Sequence, residues 1–112
     1  MIDSEQIDLT DSQMNLILAL LRQHVPDRAV RAFGSRVRHA SLPQSDLDLV
    51  VIGREKLALE ELGDLRDSFE DSPLPFTVDL LDWHRLTDAI RQEILKTSVE
   101  IQPAAGHDAD SG

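Results

Sequence analysis

Five residues of the sequence have the types and spacing needed to handle a phosphate and a metal ion. The pair Gly34-Ser35 is separated by ten residues from Asp46 and Asp48, and Asp79 lies in a later apolar run. Side chains alternate along a strand, so Asp46 and Asp48 are predicted to point to the same face. Carboxylates at one strand end repel one another unless a cation lies between them, and Mg²⁺ prefers such oxygen ligands. The three aspartates are therefore predicted to hold Mg²⁺.

The Gly-Ser pair suits the other half of such a site. A glycine at a strand end lets the backbone approach a ligand closely, and a serine after it can offer its hydroxyl and N–H to a phosphate oxygen. Together with a pair of Mg²⁺ ions, these residues favour phosphoryl or nucleotidyl transfer, which depends on positioning and charge stabilisation. In that scheme one ion activates the attacking oxygen and the other holds the triphosphate and its pyrophosphate leaving group.

The same residues also have structural interpretations. An isolated Asp-x-Asp is common in turns, and Asp82 competes with Asp79 as the third acid. Asp82 stands directly before Trp83, a position typical of a helix cap. The histidines lack ligand-like spacing, and the segment from Asp46 lacks the alternating oxygens and glycine of an EF-hand loop. It is the whole constellation that indicates a catalytic site.

Hydrophobic periodicity predicts the elements that must position these residues. They are a helix over Asp11–His24, strands over Ala29–Phe33 and Leu47–Ile52, a helix over Leu57–Phe69, a strand over Phe76–Leu81, and a helix capped by Asp82 that runs to about Lys96. The residues predicted to face inward are Met14, Ile17, Leu18 and Leu21 in the first helix, Leu59, Leu62, Leu65 and Phe69 in the second, and Leu86, Ala89, Ile90 and Ile94 in the third. This order indicates an α/β (α+β) fold with a small mixed β-sheet flanked by helices.

Charge and composition narrow the classes of function. The chain of 112 residues has a net charge of −10, which argues against nucleic-acid binding through a basic surface. Yet the segment from Arg22 to Arg38 holds five arginines and one acid, which suits an anionic ligand or simply a solvated surface. There are no cysteines, no signal peptide and no apolar run long enough to span a bilayer. A cytoplasmic protein without membrane contact is expected.

At these residues the sequence resembles a known signature. Gly34-Ser35, ten intervening residues, then Asp46-Leu47-Asp48 followed by Leu-Val-Val is similar to the motif of the DNA polymerase β-like nucleotidyltransferase superfamily. A short chain of this kind resembles the minimal nucleotidyltransferases (MNT). These are often encoded beside a HEPN-domain protein, as the antitoxin of a HEPN–MNT toxin–antitoxin pair. The resemblance covers about residues 11 to 95.

The resemblance implies a fold, a reaction and a role for each site residue. It implies the polymerase β-like nucleotidyltransferase fold, with Gly34, Ser35 and Arg36 as the nucleotide-binding turn. Asp46 and Asp48 would be metal ligands and Asp79 the third acid, around Mg²⁺, with ATP as substrate. The implied activity is transfer of AMP from ATP to a tyrosine of a HEPN ribonuclease toxin, which silences the toxin. The toxin would be the partner in a hetero-oligomer.

Departures from the motif leave alternatives open. Many relatives read Gly-Ser-Arg-Ala-Arg-Gly, whereas this chain has Val37 and His39 at the small-residue positions, and the His39 ring could crowd or assist the nucleotide. A non-catalytic antitoxin that masks its partner is one alternative. An aminoglycoside-type enzyme is another, although such enzymes usually carry a further domain.

The chain is predicted to consist of one domain with two loose ends. Residues 1–10 are predicted to form a loosely ordered lead-in, 11–101 the nucleotidyltransferase domain, and 102–112 a disordered tail.

Overall fold

The computed structural model describes residues 7–104, which form three helices packed around a four-stranded sheet. The helices are α1 (Asp11–His24), α2 (Leu59–Glu70) and α3 (Asp88–Thr97), and a short 3₁₀ helix covers Trp83–Arg85. The strands are β1 (Ala29–Phe33), β2 (Leu47–Ile52), β3 (Val78–Asp82) and β4 (Val99–Gln102). No helix in this part of the chain is long and apolar enough to cross a membrane.

The sheet is mixed, as predicted, with the strand order β3-β2-β1-β4. β1 runs antiparallel to both β2 and β4, whereas β2 and β3 are parallel. A parallel pair needs a crossover connection, which α2 provides. The two central strands are therefore β1 and β2, whose ends carry the Gly-Ser pair and the Asp-x-Asp.

One face of the sheet is covered by α1 and α2, which contact each other. Alternate strand residues and the apolar faces of both helices form one hydrophobic core. Side chains point to the same face at every second residue of a strand and at every third or fourth residue of a helix. The core includes Val30, Ala32, Leu47, Leu49, Val51, Val78 and Leu80 from the sheet, Met14, Ile17, Leu18 and Leu21 from α1, and Leu62, Leu65 and Phe69 from α2. The inward residues predicted for α1 are all confirmed.

The N-terminal end of α1 is also as predicted. Thr10 accepts a hydrogen bond from the Gln13 N–H, and the Gln13 side chain accepts one from the Thr10 N–H, which completes a capping box. The preceding segment is more ordered than a loose lead-in: Ile7 and Leu9 are 1% and 9% exposed and belong to the core. Residues 1–6 lie outside the described part of the chain.

Two predicted helix starts are wrong. α2 begins at Leu59 rather than Leu57, because Leu57 is held outside the helix: its N–H donates to Asp82 Oδ2, and its carbonyl accepts from Arg85 Nη2. Leu59, predicted to face inward, is 70% exposed. Asp82 does cap a helix, but it is the 3₁₀ helix, and the N-cap of α3 is Thr87.

The C-terminal region differs most from prediction. β4 is a strand that the sequence did not predict, and it includes Gln102, the first residue of the predicted tail. The buried Gln102 amide donates to the carbonyls of Val25 and Arg28. In α3 only Ile94 is buried, whereas Ile90 is 47% exposed. The rest of the predicted tail, residues 105–112, lies outside the described residues.

Candidate active site

Strand register brings the predicted acids together. Phe33, the last residue of β1, pairs with Asp48 of β2, and Asp48 pairs with Asp79 of β3. Paired residues of neighbouring strands point to the same face, so Asp48 and Asp79 lie side by side on the face opposite the α1–α2 core. Asp46 precedes β2 by one residue and reaches the same edge. The sheet thus brings Asp79 next to Asp48, which is distant from it in sequence, with Asp46 close by.

The negative charges of these acids repel one another. Burial raises the pKa of the Asp48 carboxyl, and the neighbouring carboxylates of Asp79 and Asp46 raise it further. Arg38 acts in the opposite direction and lowers this pKa. The net shift is upward, with burial as its largest cause, and three carboxylates beside one guanidinium leave this edge negatively charged. Such a site attracts a cation.

Gly34 is required at its position for two reasons. Its φ is +87°, a conformation that side-chain-bearing residues rarely adopt. A Cβ atom at residue 34 would also overlap Asp48 Oδ2 and lie 3.3 Å from Asp48 Cγ. The Asp48 carboxylate therefore occupies the space that a side chain at residue 34 would take, so the Gly-Ser turn lies directly against this acid.

The chain after Gly34 forms a single helical turn. The Val37 and Arg38 N–H groups donate to the Gly34 carbonyl, at 3.1 and 3.2 Å, and the Ala40 N–H donates to the Ser35 carbonyl at 2.9 Å. The first N–H groups of a helical turn have no acceptor within it. Ser35, which is half-buried at this start, is therefore placed to offer an N–H and a hydroxyl to an anion beside Asp48.

Arg36 has contacts other than those expected for a nucleotide ligand. Its guanidinium is buried and donates to the carbonyls of Ser45 at 2.9 and 3.1 Å, Pro43 at 3.0 Å and Asp8 at 2.6 Å. It also stacks on the Phe76 ring at 3.9 Å from the ring centroid. These contacts hold the loop that leads into Asp46, so the side chain supports the site from within.

Arg38 is a basic residue beside the acids that the sequence interpretation did not single out. It is exposed and close enough to Asp48 to lower the pKa of that carboxyl. The signal was present: Arg38 is the second arginine of the motif and stands four residues after Gly34. An exposed guanidinium beside a carboxylate edge can bind a phosphate that approaches the edge.

The structure separates the two competing third acids. Asp79 is exposed next to Asp48 although it lies in an apolar run of the sequence, because strand alternation turns its side chain away from those of Val78 and Leu80. Asp82 is buried and accepts from the N–H groups of Leu57 and His84 and from Arg85 Nε, at 2.9 to 3.1 Å. Both of its carboxylate oxygens are occupied by these structural hydrogen bonds.

A Mg²⁺ ion is chemically compatible with this edge. Within residues 7–104 no three acidic, histidine or cysteine side chains, the three predicted aspartates included, lie close enough together to hold a metal ion as a group. Mg²⁺ rarely needs such a group, because it usually binds one or two carboxylates and completes its shell with substrate phosphates and water. The adjacent Asp48 and Asp79, with Asp46 nearby, fit that open kind of site.

Comparison with known proteins places the chain in a family. The family model described as "Polymerase beta, Nucleotidyltransferase" matches residues 15–103. A relative from Haemophilus influenzae, named "Probable protein adenylyltransferase MntA", is 40% identical over 97 residues, which is 87% of this chain and 85% of the relative. This match includes most of both proteins.

Solved structures share the fold. A chain in the crystal structure of a toxin–antitoxin with AMP-PNP has a TM-score of 0.70 and 24% identity, over 86% of this chain and 77% of that chain. A chain in a complex of tri-AMPylated Shewanella oneidensis HEPN toxin with MNT antitoxin has a TM-score of 0.63 and 24% identity, over 86% and 74% of the two chains. With the residues matched by the family model, these findings show that the protein belongs to the polymerase beta nucleotidyltransferase family.

Proposed function

We propose that this protein is a Mg²⁺-dependent adenylyltransferase that moves AMP from ATP onto a tyrosine of a HEPN ribonuclease toxin and thereby acts as its antitoxin. The observation that carries the proposal is the placement of Gly34, Asp48 and Asp79 at one sheet edge. It is supported by the relative named as a protein adenylyltransferase and by fold neighbours solved with a HEPN toxin.

Each residue has a defined task in the proposed reaction. Asp46, Asp48 and Asp79 would hold Mg²⁺, which supplies charge stabilisation for the phosphates and activates the attacking oxygen. Ser35 and Arg38 would bind the phosphates of ATP and fix the α-phosphate beside Asp48. These contacts orient the nucleotide for in-line attack, which is the main requirement of phosphoryl transfer.

The chemical step is a substitution at phosphorus. The tyrosine oxygen bonds to the α-phosphorus of ATP, and the bond from that phosphorus to the bridging oxygen breaks, which releases pyrophosphate. The phenolic proton passes to the Asp79 carboxylate, which is exposed and can return it to water. The product tyrosine carries AMP, and its added negative charge repels RNA phosphates from the toxin.

The charge of the protein suits the proposed partner. A ribonuclease must be basic where it holds RNA, and a chain with net charge −10 attracts a basic surface and speeds the encounter. The acceptor hydroxyl comes from another protein, so the site is completed only in a complex. A hetero-oligomer with the toxin is the expected working form.

The test is to incubate the proposed partner, a HEPN toxin from the same organism, with Mg²⁺-ATP and this protein, and then to measure the intact mass of the toxin. A gain of one or more AMP units is expected, absent with Asp46→Ala and retained with Asp64→Ala, which removes an exposed carboxylate on α2. Full inhibition of the partner without any mass gain would contradict the proposal and favour an antitoxin that acts by masking.

A further inference from the structure

We propose that Asp8 is a positioning residue that holds the nucleotide-binding turn in its active conformation. The backbone of Asp8 is joined twice to the turn: its N–H donates to the Arg36 carbonyl at 2.9 Å, and its own carbonyl accepts from Arg36 Nη1 at 2.6 Å. A segment before α1 is thus tied to a turn 28 residues later in the chain. The inference rests on the proposed function, because it concerns the same turn.

The Asp8 carboxylate extends this connection to the end of the turn. Oδ2 accepts from Ser41 Oγ at 2.7 Å, and Oδ1 accepts from His39 Nδ1 at 2.5 Å. The Ser41 hydrogen bond, and to a smaller extent His39, hold the pKa of Asp8 below its usual range, so the carboxylate remains charged. Charged acceptors form the stronger hydrogen bonds.

His39 explains why the turn needs such a connection. Its φ is +56°, in the left-handed region that a glycine adopts without strain and a histidine does not. The hydrogen bond from its ring to Asp8 stabilises this conformation. The histidine at the glycine position of the motif is therefore matched by an acceptor 31 residues earlier in the chain.

Asp8 can act on the turn because its neighbours are anchored. Ile7 and Leu9 on either side are buried in the core, so the carboxylate is held at a fixed place relative to the sheet. Arg38 directly precedes His39, and its guanidinium lies near Asp48. A turn released at His39 would let Arg38 move away from the acids.

The first test measures amide exchange and nucleotide affinity in the whole protein. In Asp8→Ala, the amides of Val37, Arg38 and Ala40 should exchange about tenfold faster, because a charged acceptor of two hydrogen bonds is lost. The Kd for Mg²⁺-AMP-PNP should rise by a similar factor, with a smaller change in kcat. Asp64→Ala is the matched control and should change neither. Unchanged exchange at these amides would overturn the proposal.

A double-mutant cycle distinguishes positioning from general stability. His39→Gly removes the backbone strain at residue 39. Asp8→Ala should therefore raise the Kd for Mg²⁺-AMP-PNP by a smaller factor in the His39→Gly protein than in the native protein. Asp8→Asn keeps one acceptor oxygen, so its Kd should lie between those of the native protein and Asp8→Ala. Equal costs of Asp8→Ala in the two backgrounds would refute the role given to His39.

The two proposals can fail separately. AMP transfer by the unchanged protein decides the proposed function, whereas amide exchange in the absence of nucleotide decides the role of Asp8. A protein that transfers AMP but shows the same exchange with and without Asp8 would refute only the positioning role.

Discussion

The same strands form both faces of the sheet, but one face packs in the hydrophobic core and the other carries the acids. In β2, Leu47, Leu49 and Val51 point into the core under α1 and α2, whereas Asp48 points to the opposite face, beside Asp79. On the opposite face Val50 is fully buried, whereas Asp79 is exposed, so this face is open only towards the end that carries the acids. Leu49 and Asp48 are neighbours in sequence on opposite faces, so a substitution at Leu49 should affect stability and one at Asp48 should affect chemistry.

The largest effect should come from the open face. Asp79→Ala is expected to lower AMP transfer by about 10²–10⁴-fold, because the proton acceptor for the attacking hydroxyl is lost, while ATP still binds. Single-turnover mass spectrometry checks the rate. Asp82→Ala is the control: it removes a buried acceptor, so it should cost about 1–3 kcal/mol of stability and leave transfer intact. The reverse pattern would reassign the third acid.

The covered face should respond in stability alone. Leu49→Ala removes a fully buried side chain next to Asp48 in sequence but on the other face, and is expected to cost about 2–5 kcal/mol. Urea denaturation measures this loss. At a temperature where the variant stays folded, its Kd for Mg²⁺-ATP should match that of the native chain. A large rise in that Kd would show that the faces are not independent.

Gly34→Ala is expected to affect both stability and chemistry, because Gly34 lies against Asp48 at the end of β1. The added Cβ would be strained at φ +87° and would overlap Asp48 Oδ2, so a loss of about 1–3 kcal/mol is expected together with loss of transfer. Thermal unfolding and intact-mass assays measure the two effects. Gly63→Ala in α2, where a Cβ would meet no neighbour, should be stabilising or neutral. Equal behaviour of the two variants would contradict this account of Gly34.

The smallest effect has the opposite sign. Asp48→Asn removes a charge that burial and two neighbouring acids disfavour, so the Tm of the ligand-free protein should rise at neutral pH. The same variant should lose the further rise that Mg²⁺ and ATP together produce in the native chain. A lower Tm without ligand would contradict the repulsion inferred among the acids.

The pH dependence of this effect follows from its sign. The pKa of Asp48 is raised by folding, so the native protein holds this proton more tightly than the unfolded chain does. Its charge destabilises the fold above the raised pKa, and the penalty disappears as pH falls through that pKa. The Tm advantage of Asp48→Asn should therefore shrink in acid, and an advantage that grows as pH falls would refute this explanation.

Local patterns predicted the parts of the molecule that depend on local chemistry. The continuous apolar run after Asp48 predicted a strand, and the Gly-Ser spacing predicted the turn beside it; the structure contains both. β4 was missed because a four-residue strand is defined by its pairing with β1, far away in sequence. Asp8 was missed for the same reason, since its partners His39 and Ser41 lie beyond α1 and β1. Their roles in the site stay predictions that the variants above can decide.

The position of β4 has a consequence for the order of folding. Arg31 in the centre of β1 donates to Ser98 Oγ and to the Ser98 carbonyl, across 67 residues of sequence. Contacts of such high sequence separation form late, because the intervening chain must close as a loop first. During synthesis β1 has no second neighbour until residue 102 has left the ribosome, so the strand that ends at Phe33 remains an edge until then. The sheet edge that carries Asp48 and Asp79 is therefore expected to mature only after the C-terminal strand has paired.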